Sequence, residues 1–256
     1  MADGITKSLR AIIMDRINGM GIKERQRKND WNYRNQTLNG LTIREDSHQR
    51  LGLMDIVCNG PLTLIDAEIR DLRFDNVRCE AAARFARAHI NHLHISKTIF
   101  KKTSDFSNMA GERAHFQDIT FQGQGNSVSF DKVFFKHAHF ENVRFENGAS
   151  FKGAELPGVL VETSDMRNVD FSDAGLEGAT FVDSDFRDII WNENTNLKGV
   201  KLEGITMAPE AFLAEIARQN PAQQQTSGDN VFSGGLIPSD AHVARQSQKP
   251  RGGPVK

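Results

Sequence analysis

Residues 149–191 read ASFKGAELPGVLVETSDMRNVDFSDAGLEGATFVDSDFRDIIW. From Phe151 an apolar residue falls at every fifth position: Leu156, Val161, Met166, Phe171, Leu176, Phe181, Phe186 and Trp191. With 38% of the chain apolar, nine such hits in one chosen register have a chance of roughly two in ten thousand. Two residues before each hit sits another small or apolar residue, as in Ala149, Ala154, Val159, Ser164, Val169, Ala174, Ala179, Ser184 and Ile189, and the other three positions are mostly polar. A period of five fits neither the 3.6 of an amphipathic helix nor the alternation of a half-buried strand. It fits a square coil in which each pentad forms one side and turns one corner, so that inward residues of successive turns stack at strand spacing.

Such a coil demands that irregularities recur at one corner, and they do. Taking Phe74, Ile95, Phe116, Phe140, Val161, Phe181 and Leu202 as one face, the steps are 21, 21, 24, 21, 20 and 21 residues. The second face holds Cys58, Cys79, Phe100, Phe121, Phe145, Met166, Phe186 and Met207, and the third Leu64, Phe85, Phe106, Phe130, Phe151, Phe171 and Trp191. The fourth holds Ile69, Ile90, Gly111, Phe135, Leu156, Leu176 and Leu197. From second to third face the steps are 6, 6, 6, 9 and 6 residues before settling to 5, so the extra residues fall at one corner in five successive turns. The longest insertion, Gln122 to Ser127, is rich in Gly and polar residues. The reading is an all-β solenoid over residues 41–207, a four-sided β-helix of about seven to eight coils with short terminal α-helices. Its structural core is centred on Phe85, Phe106, Phe130, Phe151, Phe171 and Trp191.

The segments Ala174-Gly-Leu-Glu-Gly, Ala179-Thr-Phe-Val-Asp and Ser184-Asp-Phe-Arg-Asp resemble the pentapeptide-repeat family, whose pattern is Ala, Asp or Asn, Leu or Phe, then two free positions. The resemblance runs from about Leu53 to Met207 and is clearest after Phe130. In the first half Leu72, Val77, Leu93 and Ile119 replace the small residue, which should widen or distort the early turns. The resemblance implies a right-handed quadrilateral β-helix and a non-enzymatic, bacterial-type protein that presents a rigid surface to a protein partner. Family members that protect topoisomerases are proposed to imitate DNA in shape and charge, and others are secreted effectors, so the resemblance also admits those two roles.

The ends of an open coil need covering. Ile5, Leu9, Ile12, Ile13, Ile17 and Met20 lie on one helical stripe that stops at Gly19 and Gly21, so residues 1–40 are expected to form an amphipathic helix and a basic linker. Pro209 and Glu210 suit a helix start, and Phe212, Leu213 and Ile216 give a capping helix over 208–220 its apolar face. Residues 221–256, rich in Gln, Ser, Gly and Pro, are expected to be a disordered tail. Lys7, Arg10, Asp15 and Arg16 interrupt the first apolar stretch before a signal core or membrane span forms. With only two Cys, a reducing, cytoplasmic location is expected.

The net charge of −1 gives no global reason to expect direct nucleic-acid binding, so patches decide. His92 and His94, then Arg113 and His115, then His137 and His139 recur at one corner in three consecutive turns. Such a ladder can bind an anion, sense pH or ligate a transition metal, although its spacing lacks a zinc-finger signature and outward positions tolerate polar residues generally. No carboxylate pair, nucleophile elbow or phosphate loop accompanies it, so neither catalysis nor a cofactor is expected. An acidic stretch follows, with Asp165, Asp170 and Asp185 among nine acids set against Arg167 and Arg187; it either imitates DNA or holds turns by hydrogen bonds. Cys58 and Cys79 stack at one inward position, most simply as small hydrophobes. Lys23-Glu-Arg-Gln-Arg-Lys28 beside the first helix suggests a membrane surface or an acidic partner, and the coil ends suggest a route to oligomers.

Overall fold

The computed structural model describes residues 30–43, 47–124, 127–205 and 207–221. Two parallel sheets wrap these residues into a four-walled solenoid: one of ten strands, and one of seven that runs from Val169–Asp170 back to Leu41–Thr42. Strand Glu68–Cys79 shows how a wall is built. Its buried residues are Ile69, Leu72, Phe74, Val77 and Cys79, separated by steps of three and two. The two-residue step crosses a flat wall with one outward residue between, as Arg73 lies between Leu72 and Phe74. The three-residue step turns a corner and leaves two residues facing out. A pentad is thus one wall and one corner, and strand alternation survives only within the wall.

The first column pairs in unbroken register: Tyr33, Leu53, Phe74, Ile95, Phe116, Phe140, Val161, Phe181 and Leu202, about eight turns. We call this wall 1, and walls 2, 3 and 4 follow in chain order. On wall 3, Phe85, Phe106, Phe130 and Phe151 stack with centroids 4.6 Å apart at each step, and Phe171 follows at 5.4 Å. Phe130 also meets Phe116, Phe121, Phe140 and Phe145 edge-on, so three phenylalanine columns interlock across the core. Each ring contributes roughly 1.5–3 kcal/mol by burial alone.

The corners explain the two halves of the rod. Between walls 1 and 2 every coil places a left-handed residue: Asn35, Asp55, Asn76, Lys97, Asp118, Asn142, Thr163, Asp183 and Gly204. Asn and Asp tolerate that conformation and bond along the column, Asn76 Nδ2 to Asp55 Oδ1 at 2.9 Å and Asn142 Nδ2 to Asp118 Oδ1 at 2.7 Å. Between walls 4 and 1 the late coils use left-handed Gly158, Gly178 and Gly199, which break the strands into pieces of two or three residues. The early coils place Asp71, His92, Arg113 and His137 there instead, outside the positive-φ region, and strands of up to 12 residues run straight through. The larger inward residues Leu72, Val77, Leu93 and Ile119 are all buried in these coils, which answer with longer strands.

Three boundaries differ from the sequence reading. The coil begins at strand Asp30–Leu38, inside the stretch read as a linker, and pairs with Ser47–Cys58. Tyr33 and Leu38 keep pentad spacing and are buried, but Asn32, Arg34, Asn35, Gln36 and Thr37 mask them in the composition. At the other end Met207 bridges Asp185, not Phe186, and is 49% exposed, because the chain is leaving the coil there. Trp191, read as core, is only partly buried; it ends its column and rests edge-on against Phe212 at 5.1 Å.

Phe212 belongs to helix α1, Glu210–Gln219, and also stacks on Phe186 at 6.2 Å. The helix ends with two side-chain amides that stand in for the backbone of a further coil. Gln219 accepts from the Leu197 N–H (2.7 Å) and donates to the Thr195 carbonyl (2.9 Å), while Asn220 donates to the Leu197 carbonyl (2.9 Å) and accepts from the Gly199 N–H (2.5 Å). The open edge of wall 4 is thereby satisfied. The stripe Ile5–Met20, the basic run Lys23–Lys28 and residues 222–256 lie outside the described residues.

Candidate functional site

The histidines form two straight columns, not one edge. Strand pairing sets Arg50, Asp71, His92, Arg113 and His137 in line along the corner between walls 4 and 1. Two residues on, Arg73, His94, His115 and His139 line the middle of wall 1. Both columns face outward because the intervening Leu72, Leu93, Ala114 and Ala138 are inward and buried. In the corner column charges alternate at first: Arg50 Nε lies 3.3 Å from Asp71 Oδ2, and His92 Nδ1 lies 2.7 Å from Asp71 Oδ1.

In the wall column the imidazoles touch. His94 meets His115 edge-on with centroids 5.0 Å apart, and His115 stacks on His139 at 4.7 Å and 5°. Partial burial, then the neighbouring His115 and Arg73, hold His94 below the usual histidine range; burial and then His139 do the same for His115. Glu141, two residues after His139, and Glu162, one coil later, stand beside this column and pair with each other in register. His139 Nε2 lies 2.8 Å from Glu162 Oε2, and His115 Nε2 lies 3.6 Å from Glu141 Oε2. His115 Nε2 is shielded from solvent with no hydrogen-bond partner. His115, His139 and Glu141 offer ligand atoms within 4.8 Å of one another. Glu141 escapes a reading along the chain and Glu162 reads there only as part of the acidic stretch; the signal that joins them to the histidines is a separation of about one coil.

The acidic stretch does not gather on one face. Asp165 and Asp185 lie on wall 2, Asp170 on wall 3, Asp173 at the next corner and Glu162 and Asp183 at the corner between walls 1 and 2. Their carboxylates are also engaged. Asp165, Asp170 and Asp185 each accept the backbone N–H two residues on, from Arg167, Ser172 and Arg187, as the turn-holding reading expects. Arg167 forks onto Asp165 at 2.7 and 2.6 Å, Arg187 grips Asp185, and Lys152 Nζ lies 3.1 Å from Asp170. Burial alone would raise Asp165, but the Arg167 hydrogen bonds outweigh it and hold the carboxyl below the ordinary range.

Cys58 and Cys79 are buried, unbridged partners in the wall 2 column. The hydrogen bond to Cys58, then burial, push the Cys79 thiol well above the usual thiol range, which suits a packing role. A shallow groove on wall 3 is lined by Thr103, Asp105, Ser107, Ser127, Ser129 and Asp131 beside the Gln122–Ser127 insertion. Its carboxylates hold corners, Asp105 accepting from Ser107 N and Asp131 from Lys152 N. Among the described residues no helix is long and apolar enough to cross a membrane.

Residues 147–188 match the family model for pentapeptide repeats in eight copies. No curated protein matches the chain. Pentapeptide repeats form right-handed quadrilateral β-helices, which gives the hand of the coil described above, and the fold is consistent with a non-enzymatic repeat protein.

Proposed function

We propose that this pentapeptide-repeat protein is a non-enzymatic rod that offers wall 1 and its leading corner to a protein partner. The observation that carries the reading is the straight register of the outward columns: Arg50, Asp71, His92, Arg113 and His137 beside Arg73, His94, His115 and His139. Side chains held on a continuous ladder lose little entropy on binding, and columns whose residues repeat at a strand's width suit an extended or flat partner surface. Arg113, exposed between His92 and His137, gives the corner column a positive centre, so a partner with acidic side chains is favoured. A chain with only two cysteines, both buried as free thiols, suits a cytoplasmic setting.

The test compares crosslinked pull-downs of the full chain with those of a variant carrying His92→Ser, Arg113→Ser and His137→Ser, folding being checked by circular dichroism. Capture of one defined protein by the wild type and its loss in the variant support the reading; equal capture by both refutes it. The DNA-mimic alternative has less support, because the acids are spread over several walls and paired with Arg167, Arg187 and Lys152. A gyrase supercoiling assay decides it: neither inhibition nor protection at micromolar protein removes that role.

A further inference from the structure

We propose that His115, His139 and Glu141, joined by Glu162, form a site for one divalent transition-metal ion of the zinc class that pins three consecutive coils together. The ladder sets the donors in two staggered columns across three coils. His115 and His139 are direct partners in the middle of wall 1, and Glu141 and Glu162 are direct partners at the adjoining corner between walls 1 and 2, displaced by one coil. Residues two apart on a strand share a face, and neighbouring strands lie about 4.8 Å apart, so His115, His139 and Glu141 project into one volume, with Glu162 at its edge against His139.

Three features favour an ion over two separate ion pairs. Two carboxylates stand side by side in one column, Glu141 against Glu162, an arrangement that repels unless a cation lies between them. His115 Nε2 is shielded from solvent and makes no close hydrogen bond, the Glu141 carboxylate oxygen beside it standing off at 3.6 Å. The ligand atoms of His115, His139 and Glu141 already lie within 4.8 Å of one another. Tetrahedral coordination at about 2.0–2.1 Å needs donors about 3.3 Å apart and ring planes that meet at the ion, so the stacked imidazoles of His115 and His139 must tilt toward each other on binding, a side-chain rotation that leaves the ladder in place. Glu162 Oε2, 2.8 Å from His139 Nε2, then completes the set as the proton shared by that pair is displaced by the metal. Two imidazoles and two carboxylates select zinc, cobalt or nickel ahead of magnesium or calcium. The site lies in the coils that flank the Gln122–Ser127 insertion, where the step between wall 1 residues Phe116 and Phe140 lengthens to 24 residues. A bound ion holds the ladder in register across that interruption.

The experiment titrates the full chain, stripped with a chelator, with Co2+ and follows the visible d–d bands of low-coordinate cobalt, then displaces the ion with Zn2+. The expected result is saturation at one ion per chain, with binding weakened tenfold or more in His115→Ala, His139→Ala and Glu141→Gln and unchanged in His137→Ala. His137 is an exposed histidine of the neighbouring column, so it reports non-specific binding to the histidine-rich wall. Absence of saturable binding to the wild type, retention of full affinity in the three site variants, or equal weakening in His137→Ala would each overturn the site. Circular dichroism of every variant guards against unfolding; should an alanine variant not fold, Glu141→Gln, which alters only charge, decides the question with the wild type.

Discussion

Phe134 and Phe135 are consecutive and chemically identical, yet the coil assigns them opposite fates, which makes them the sharpest test of the register. Phe135 lies in the wall 4 column, fully buried, with its ring against the backbone of Gly111 in the preceding coil. Phe134 is the mid-wall residue facing outward between Ala110 and Glu155, and is 49% exposed. Truncating Phe135 to Ala removes a buried ring and leaves a void that parallel strands, fixed at their own spacing, close poorly; the cost is about 3–5 kcal/mol. Truncating Phe134 to Ala forfeits only part of a burial term and opens no cavity, at a cost below about 1 kcal/mol. Urea unfolding followed by far-ultraviolet circular dichroism measures both, with the slope checked for constancy because solenoids can unfold in segments. Equal losses for the two variants, or a larger loss for Phe134→Ala, would refute the wall-and-corner assignment and the outward columns drawn from it.

Phe151→Asp places a charge within the stacked wall 3 column and is expected to prevent folding, whereas His115→Ala in metal-free protein is expected to leave the melting temperature nearly unchanged. At Gly111 an added Cβ would lie 2.0 Å from the Ile90 carbonyl oxygen, a backbone atom of the adjacent coil, so Gly111→Ala should lose about 1–3 kcal/mol in the same denaturation assay. Asp165 and Asp185 are held below the ordinary carboxylate range, Asp185 first by its Arg187 hydrogen bonds, so their stabilisation is complete above about pH 4 and is lost as pH falls through the folded values. Arg167→Gln leaves burial to raise Asp165 and should move acid unfolding, followed by circular dichroism, to higher pH; an unmoved midpoint counts against the pairing. Gln219→Ala with Asn220→Ala strips four hydrogen bonds from the last coil and should lower stability by about 2–4 kcal/mol and promote end-to-end association visible in light scattering.

The walls were legible because one physical quantity, the volume inside the tube, constrains every inward residue, and a period of five has no competing explanation. Legibility failed where that constraint relaxes. Tyr33 and Leu38 keep the pentad but sit among asparagines and a glutamine, so composition reads as linker while the backbone is already pairing. Met207 keeps its spacing on paper, yet the chain departs toward α1 one residue early and the side chain is left outside. The cap itself depends on Gln219 and Asn220 imitating a peptide backbone, a role that helical periodicity does not register because both side chains act beyond the end of the amphipathic face.

The outer surface obeys a different rule. In a helix or a simple strand, residues close in sequence are close in space, and a run of like charges is a patch. In this coil four pentads circle the rod, so a run of acids is dealt out around it, which is why Asp165, Asp170, Asp173 and Glu177 do not sum to one field. Residues 20–24 positions apart become neighbours a strand's width away, which is how His94, His115 and His139 touch and how Glu162 reaches His139. A site on such a rod must therefore be sought down the columns. The histidines stood out in sequence because they recur at that interval, while Glu141 and Glu162 became visible once the step from Gln117 through Glu141 to Glu162 was read as a single vertical line. Gly158, Gly178 and Gly199 end the neighbouring corner column, since glycine takes the left-handed corner there and leaves no side chain to extend it; the chemistry on this corner is confined to the coils whose corners stay extended.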